Sequence, residues 1–180
     1  MKHILKQVTK RVTKSLYMDL TSLDFARLFS WMAYYRYDTI LNKTQMQKLL
    51  YIFYGIYLAE NNEVPFDDDT PKAWPHGPVF PRVSIRYNPK NIPDDLSDAE
   101  KDRFLSNRLA LRLVDKIVKR FHTVSAYKLS EWSHQKGSPW YITIFGEDGQ
   151  NKDIKWNAPI DNEYTKRYFK NWNEMIDNGK

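Results

Sequence analysis

Four histidines and a run of three aspartates are the residues whose types invite a catalytic or metal-binding reading. His3, His76, His122 and His134 show no pair at the i, i+3 or i+4 spacing that sets two imidazoles on one helix face. His76 and His134 both fall in turn-rich stretches, so a shared site requires the fold to bring them together; hydrogen bonding to turn backbone is the commoner role. Asp67, Asp68 and Asp69 carry the hard oxygen ligands that Mg²⁺ takes. Consecutive carboxylates in a loop point in different directions and no second acidic cluster supports them, so the run reads as a solvated turn. Glu60 and Glu131 have no partner at a spacing that suggests general-base chemistry. The chain contains no P-loop, G-x-G-x-x-G, G-x-S-x-G or H-E-x-x-H pattern. It contains no cysteine either, which excludes disulfides, thiol nucleophiles and cysteine zinc sites and fits a reducing cytoplasm. The expectation is a protein without catalysis, cofactor or metal.

What the composition does supply is material for protein–protein contacts. Aromatics make up 15% of the chain, with 12 tyrosines and 6 tryptophans, and Tyr, Trp and Arg dominate interface hot spots. Most of these rings belong to a core. A surplus is expected among Tyr34, Tyr35, Tyr37, Tyr51, Tyr54 and Tyr57, because helical spacing does not bury all six in one small domain.

Charge is unevenly placed. The formal net charge is +6, yet Lys2, Lys6, Lys10, Arg11 and Lys14 contribute five of those charges within residues 1–18, where no acid occurs. The rest of the chain holds 23 basic and 22 acidic side chains, so on total charge it is not a polyanion binder. Ile4, Leu5, Val8, Val12 and Leu16 share one side of the same segment, which reads as a basic amphipathic helix. That helix packs on the body, binds a partner groove, or meets nucleic acid or an anionic membrane surface. Residues 1–20 lack the uninterrupted apolar stretch of a secretory signal, and no segment approaches the ~20 apolar residues of a transmembrane helix.

These residues must be positioned by a mainly α fold. At 180 residues, one domain with an extension is expected: residues 1–20 as the basic N-terminal helix and residues 21–180 as a compact helical α+β domain with a small β-hairpin in a proline-rich insertion. Thr21 or Ser22 caps a helix carrying Phe25, Leu28, Phe29, Met32 and Tyr35. Asn42 with Gln45 opens the strongest periodic segment, Met46, Leu49, Leu50, Phe53, Tyr54, Tyr57 and Leu58, in which Gly55 marks a close helix contact and Asn61 or Asn62 a left-handed stop. Seven of the nine prolines lie in residues 63–93 and forbid long helices there, leaving extended pieces near Val64–Phe66 and Lys72–Trp74. The Ser97–Glu100 capping box opens a single long helix to about Phe121, Ser125 caps a short helix with Leu129 and Trp132, and Pro139–Phe145 is ambiguous between helix and strand. A last helix begins near Asp161, with Tyr164, Tyr168, Phe169 and Trp172 inward.

Three of these segments resemble a known family, the Panacea antitoxin domain (SocA-like or GepA-like phage-associated proteins). Leu41–Ala59, LNKTQMQKLLYIFYGIYLA, is similar to its helix "LQKLLYFAQGWYLA"; KAWPHGPV at Lys72–Val79 to "EAWKYGPVVP"; and LSEWSHQKGSPW at Leu129–Trp140 to "LSELTHKEDPW". Ile160–Phe169 resembles the family's closing "I-x-x-E-x-I-x-x-Y-F", so the likeness runs over about residues 22–173. Departures fall at Pro75 and His76 before the Gly-Pro and at Trp132–Ser133, which leaves partner specificity particular to this chain.

The resemblance implies a cytoplasmic bacterial or prophage antitoxin that neutralises a neighbouring protein toxin by direct binding, without catalysis. One alternative is an adaptor that delivers the toxin to a protease, with a protease or chaperone as further partner; another, resting on the basic helix rather than on the resemblance and not the favoured reading, is a DNA-binding regulator using residues 1–18. On this reading Tyr51, Tyr54 and Trp74 face the toxin, while Gly77, Pro78, His134 and Trp140, together with Trp74, stiffen the insertion against the helices.

Overall fold

In the computed structural model, which describes residues 20–91 and 95–177, the chain folds as nine helices and three short strands among the described residues. The basic segment of residues 1–18 lies outside them. The helices are α1 (Ser22–Tyr37), α2 (Lys43–Asn61), α3 (Pro81–Arg86), α4 (Asp98–Ser106), α5 (Arg108–Phe121), α6 (Ala126–Ser133), α7 (Pro139–Phe145), α8 (Asn162–Phe169) and α9 (Trp172–Asp177). The strands are β1 (Lys72–Trp74), β2 (Gly77–Val79) and β3 (Ala158–Pro159), in the antiparallel order β2-β1-β3.

Local chemistry sets most of the boundaries. Thr21 caps α1 in a reciprocal box with Asp24, Asn42 caps α2 with Gln45, and Ser97 caps α4 with Glu100. Asn62 ends α2 in the left-handed region at φ 56°. Ser138 caps α7, so Pro139–Phe145 is a helix, with Pro139 where a missing N–H costs nothing. The single helix expected over residues 98–121 is two. Asn107, at φ −111° and ψ 69°, ends α4, and its side chain accepts from the Ala110 N–H to cap α5. No strand forms near Val64–Phe66, and the hairpin is β1–β2.

The aspartate run is not a solvated turn. Asp68 accepts from the Ser22 N–H at 2.7 Å and from its hydroxyl at 2.8 Å. Asp69 accepts from the N–H groups of Arg82 and Val83 at 2.8 and 3.2 Å, supplying from a distant loop the cap that Phe80 cannot give α3. Burial raises the Asp69 pKa, with the Asp68 charge adding to it and the backbone donors opposing.

Helix α2 is the axis of the domain. Helices α1, α3, α5, α6 and α8 and strand β2 all pack on it, so it has almost no solvated side. This is why Tyr51 and Tyr54, expected at a partner surface, are instead internal, each only 1% exposed. Their hydroxyls are satisfied inside: Tyr51 meets Thr165 Oγ1 at 3.3 Å and Tyr54 donates to Asn162 Oδ1 at 3.0 Å, both on α8. Burial drives the Tyr54 pKa up to about 12 and that of Tyr51 further, with those hydrogen bonds opposing. Gly55 admits this contact, since a Cβ there would overlap the Phe169 ring. Phe25, Phe53, Phe66, Phe80 and Phe104 form the ring cluster on the other side, with the Phe25 and Phe53 centroids 4.6 Å apart.

Candidate functional site

One end of α2 holds the hairpin through two adjacent polar side chains. The Gln47 amide accepts from the Phe80 N–H at 2.7 Å and donates to the Phe80 carbonyl at 3.3 Å, as a strand would. Lys48 donates to the Pro78 carbonyl at 3.1 Å. Pro78 has no N–H, but its carbonyl must still find a donor where Pro78 itself is buried. Lys48 is 1% exposed, and no carboxylate pairs with it among the described residues. Burial alone pulls its pKa down to about 7.

Gly77 is required twice over in this arrangement. Its φ is +99°, and a Cβ would stand 2.8 Å from both Cε and Nζ of Lys48 and overlap the Ser133 hydroxyl. The close approach lets α6 reach the hairpin. Ser133 donates to the Ser130 carbonyl at 2.8 Å, and its own carbonyl accepts from Ser138, the cap of α7, at 2.8 Å. Ser130 in turn donates to the His76 carbonyl at 3.4 Å.

His134 and Trp140 complete the cluster. Their rings meet edge to face with centroids 4.1 Å apart, and the Trp140 indole donates to the Trp74 carbonyl at 2.8 Å. His134 Nε2 is buried without a hydrogen-bond partner among the described residues. Burial lowers the His134 pKa; the charges of Lys48 and His76 act the same way, and the Pro75 carbonyl opposes them. The Trp74 indole donates to Asn157 Oδ1 at 2.9 Å, which ties the hairpin to β3. Trp74 is half-buried; Pro75 and His76, which turn the hairpin, are exposed.

Gly77, Pro78, His134 and Trp140 are therefore brought together around one buried lysine. His76 and His134 approach closely enough for their charges to interact, but the aspartate run, in the loop between α2 and β1, is bonded to the starts of α1 and α3 instead. No group of three or more His, Asp or Glu is placed to hold a metal ion among the described residues. Sequence reasoning missed Lys48, Gln47 and Ser133. A signal existed for the first two: they lie in a helix whose other residues are so apolar that no polar face remains.

A lysine near neutrality, a glycine without room for a Cβ and two indoles bonded to backbone or amide together build a rigid scaffold that presents a short turn. The chain belongs to the antitoxin SocA-like, Panacea domain family, whose model matches residues 46–141. That span runs from Met46, in the first buried turn of α2, to Tyr141, in the first turn of α7, and includes Gln47, Lys48, the hairpin, Ser133, His134 and Trp140. Helix α1 and the elements after α7 lie outside it. No curated protein and no solved structure matches the chain.

Proposed function

We propose that this protein is a cytoplasmic antitoxin of bacterial or prophage origin that binds a protein toxin encoded beside it and neutralises it without chemistry of its own. The observation that carries this reading is the family match over α2 to α7, the span that contains the scaffold around Lys48. Inside that scaffold Lys48 and Trp140 donate to backbone carbonyls of the hairpin, and the turn at its tip leaves Pro75 and His76 exposed with Trp74 half-buried beside them. Trp74 remains a toxin-facing candidate with this turn, whereas Tyr51 and Tyr54 act from within by holding α8 to α2. Among the described residues no helix is long and apolar enough to cross a membrane.

The test is a growth assay in which each flanking gene is induced with and without this chain. Arrest by one neighbour, relieved by co-expression, is the expected result; absence of any toxic neighbour would overturn the reading. Following toxin abundance during rescue separates the two modes of neutralisation. A toxin that persists and co-purifies with the chain marks direct binding, and one that disappears in a protease-dependent way marks an adaptor.

A further inference from the structure

Helix α5 concentrates charge that the near-neutral body conceals. It carries Arg108, Arg112, Lys116, Lys119 and Arg120 against a single carboxylate, Asp115. Arg108, Arg112 and Lys116 follow one another at four-residue spacing, so they form a stripe along one side of the helix. Arg108 and Arg112 are exposed and pair with no carboxylate among the described residues.

The stripe borders apolar surface. A cavity of about 410 Å³ lies between α1, α4 and α5, floored by Leu28, Met32, Phe104, Leu105 and Leu111, with Trp31 on its wall. Leu105 is 54% exposed there. Its charged lining is Arg36, Lys101 and Arg112 against Asp115, and Asp115 is paired with Arg36. Arg112 also borders a second cavity of about 260 Å³ with Leu109, Leu113, Lys116 and Glu60. Lys116 donates to the Asn173 carbonyl at 2.7 Å, which anchors α9 at this edge. None of these residues belongs to the Lys48 cluster or the hairpin.

From this juxtaposition we infer that the groove between α1, α4 and α5, edged by the α5 cations, docks an amphipathic helical segment of the partner protein whose apolar face is flanked by acidic residues. The inference rests on the antitoxin reading for the identity of that partner as the toxin. Apolar side chains of such a segment fill the leucine-lined floor, and its carboxylates meet Arg108 and Arg112. The chain's own residues 1–18 are the wrong sign for this place, since their five cations would face the stripe. Nucleic acid fits less well, because a phosphate backbone has no apolar side chains to fill the leucine-lined floor.

The probe is a labelled helical peptide with leucines at i, i+3 and i+4 and glutamates on the flanks, titrated into the full chain by fluorescence anisotropy. Its lysine counterpart, a mixed-sequence DNA duplex and anionic phospholipid vesicles serve as the competing ligands. The glutamate peptide is expected to bind, more weakly as salt rises, and to lose about tenfold in affinity in the Arg108→Glu/Arg112→Glu double variant. Arg108→Gln/Arg112→Gln and Leu105→Ser give smaller losses, with melting temperature as the control for folding. Failure of the peptide to bind, binding untouched by charge reversal, or preference for the duplex or the vesicles overturns the inference.

The growth assay then separates the two levels. If the wild-type chain rescues and the charge-reversed chain rescues equally, the groove assignment is wrong and the antitoxin reading stands. If peptide binding depends on Arg108 and Arg112 while no neighbouring gene is toxic, the surface stands and its assignment to a toxin fails.

Discussion

Replacing Lys48 by methionine should reverse its effect on stability between neutral and alkaline pH. The buried ammonium has a folded-state pKa of about 7 against an ordinary value of 10.5. A base whose pKa falls on folding binds fewer protons in the folded state, so stability rises with pH between those two values. At 1.36 kcal/mol per pKa unit the gap is worth on the order of 5 kcal/mol below pH 7 and about 1 kcal/mol by pH 10. Methionine fills similar volume and removes that ionisation cost, but it leaves the Pro78 carbonyl without its donor, a loss of roughly 1–3 kcal/mol. Lys48→Met is therefore expected to be more stable than wild type by about 3 kcal/mol at pH 6 and less stable by about 1 kcal/mol at pH 10. Urea unfolding from pH 6 to pH 10 reads both limbs. The raised pKa values of Tyr51 and Tyr54 act above pH 10, whereas the lowered His134 pKa acts up to 6.5 and owes part of its shift to the Lys48 charge, so the slope belonging to Lys48 is read from about pH 7 upward. A variant that is destabilised equally at both ends, with the pH slope of wild type intact, would show that Lys48 is charged in the fold and refute the reasoning.

Other substitutions probe the remaining contacts. Gly77→Ala forces a Cβ into Lys48 and Ser133 at a φ of +99° and should cost at least 2 kcal/mol, roughly, by thermal or urea unfolding; a neutral result would contradict the close packing of α6 on the hairpin. Tyr54→Phe removes the bond to Asn162 and should lower stability by about 1 kcal/mol while leaving toxin rescue intact; loss of rescue without loss of stability would return Tyr54 to the partner surface. Asp69→Ala uncaps α3 and should cost about 1 kcal/mol, whereas Asp67→Ala, at an exposed position, should be silent in the same unfolding measurement.

The parts of the fold legible in the sequence are those decided within four residues. Thr21 with Asp24, Asn42 with Gln45 and Ser97 with Glu100 each exchange bonds inside one turn, so the helix starts follow from side-chain type and spacing. Gly55 was readable as a close contact because a glycine amid strong helix formers needs a reason, although its partner Phe169 lies far along the chain. Long-range contacts were not readable. Asp69 caps α3 from another loop, two-residue β3 has no periodicity to detect, and Asn107 interrupts a pattern that is otherwise continuously helical. Tyr51 and Tyr54 show the same limit, since their hydroxyls are met by Thr165 and Asn162 of α8, more than 100 residues along the chain, and nothing within α2 tells such a partner from a second protein.

Net charge has an equivalent blind spot. A body with 23 cations and 22 carboxylates sums to near neutrality, and the sum argues against a charged binding surface. The fold sorts those charges. Asp24 and Glu100 are bound to Arg103 and Arg27, and Asp68 and Asp69 cap helices, so these carboxylates are held locally. On α5, Arg108 and Arg112 are exposed and pair with no carboxylate among the described residues, so a field remains at its surface after those acids are accounted for. Whatever docks at that face meets a cationic protein, even though the body taken whole is nearly neutral.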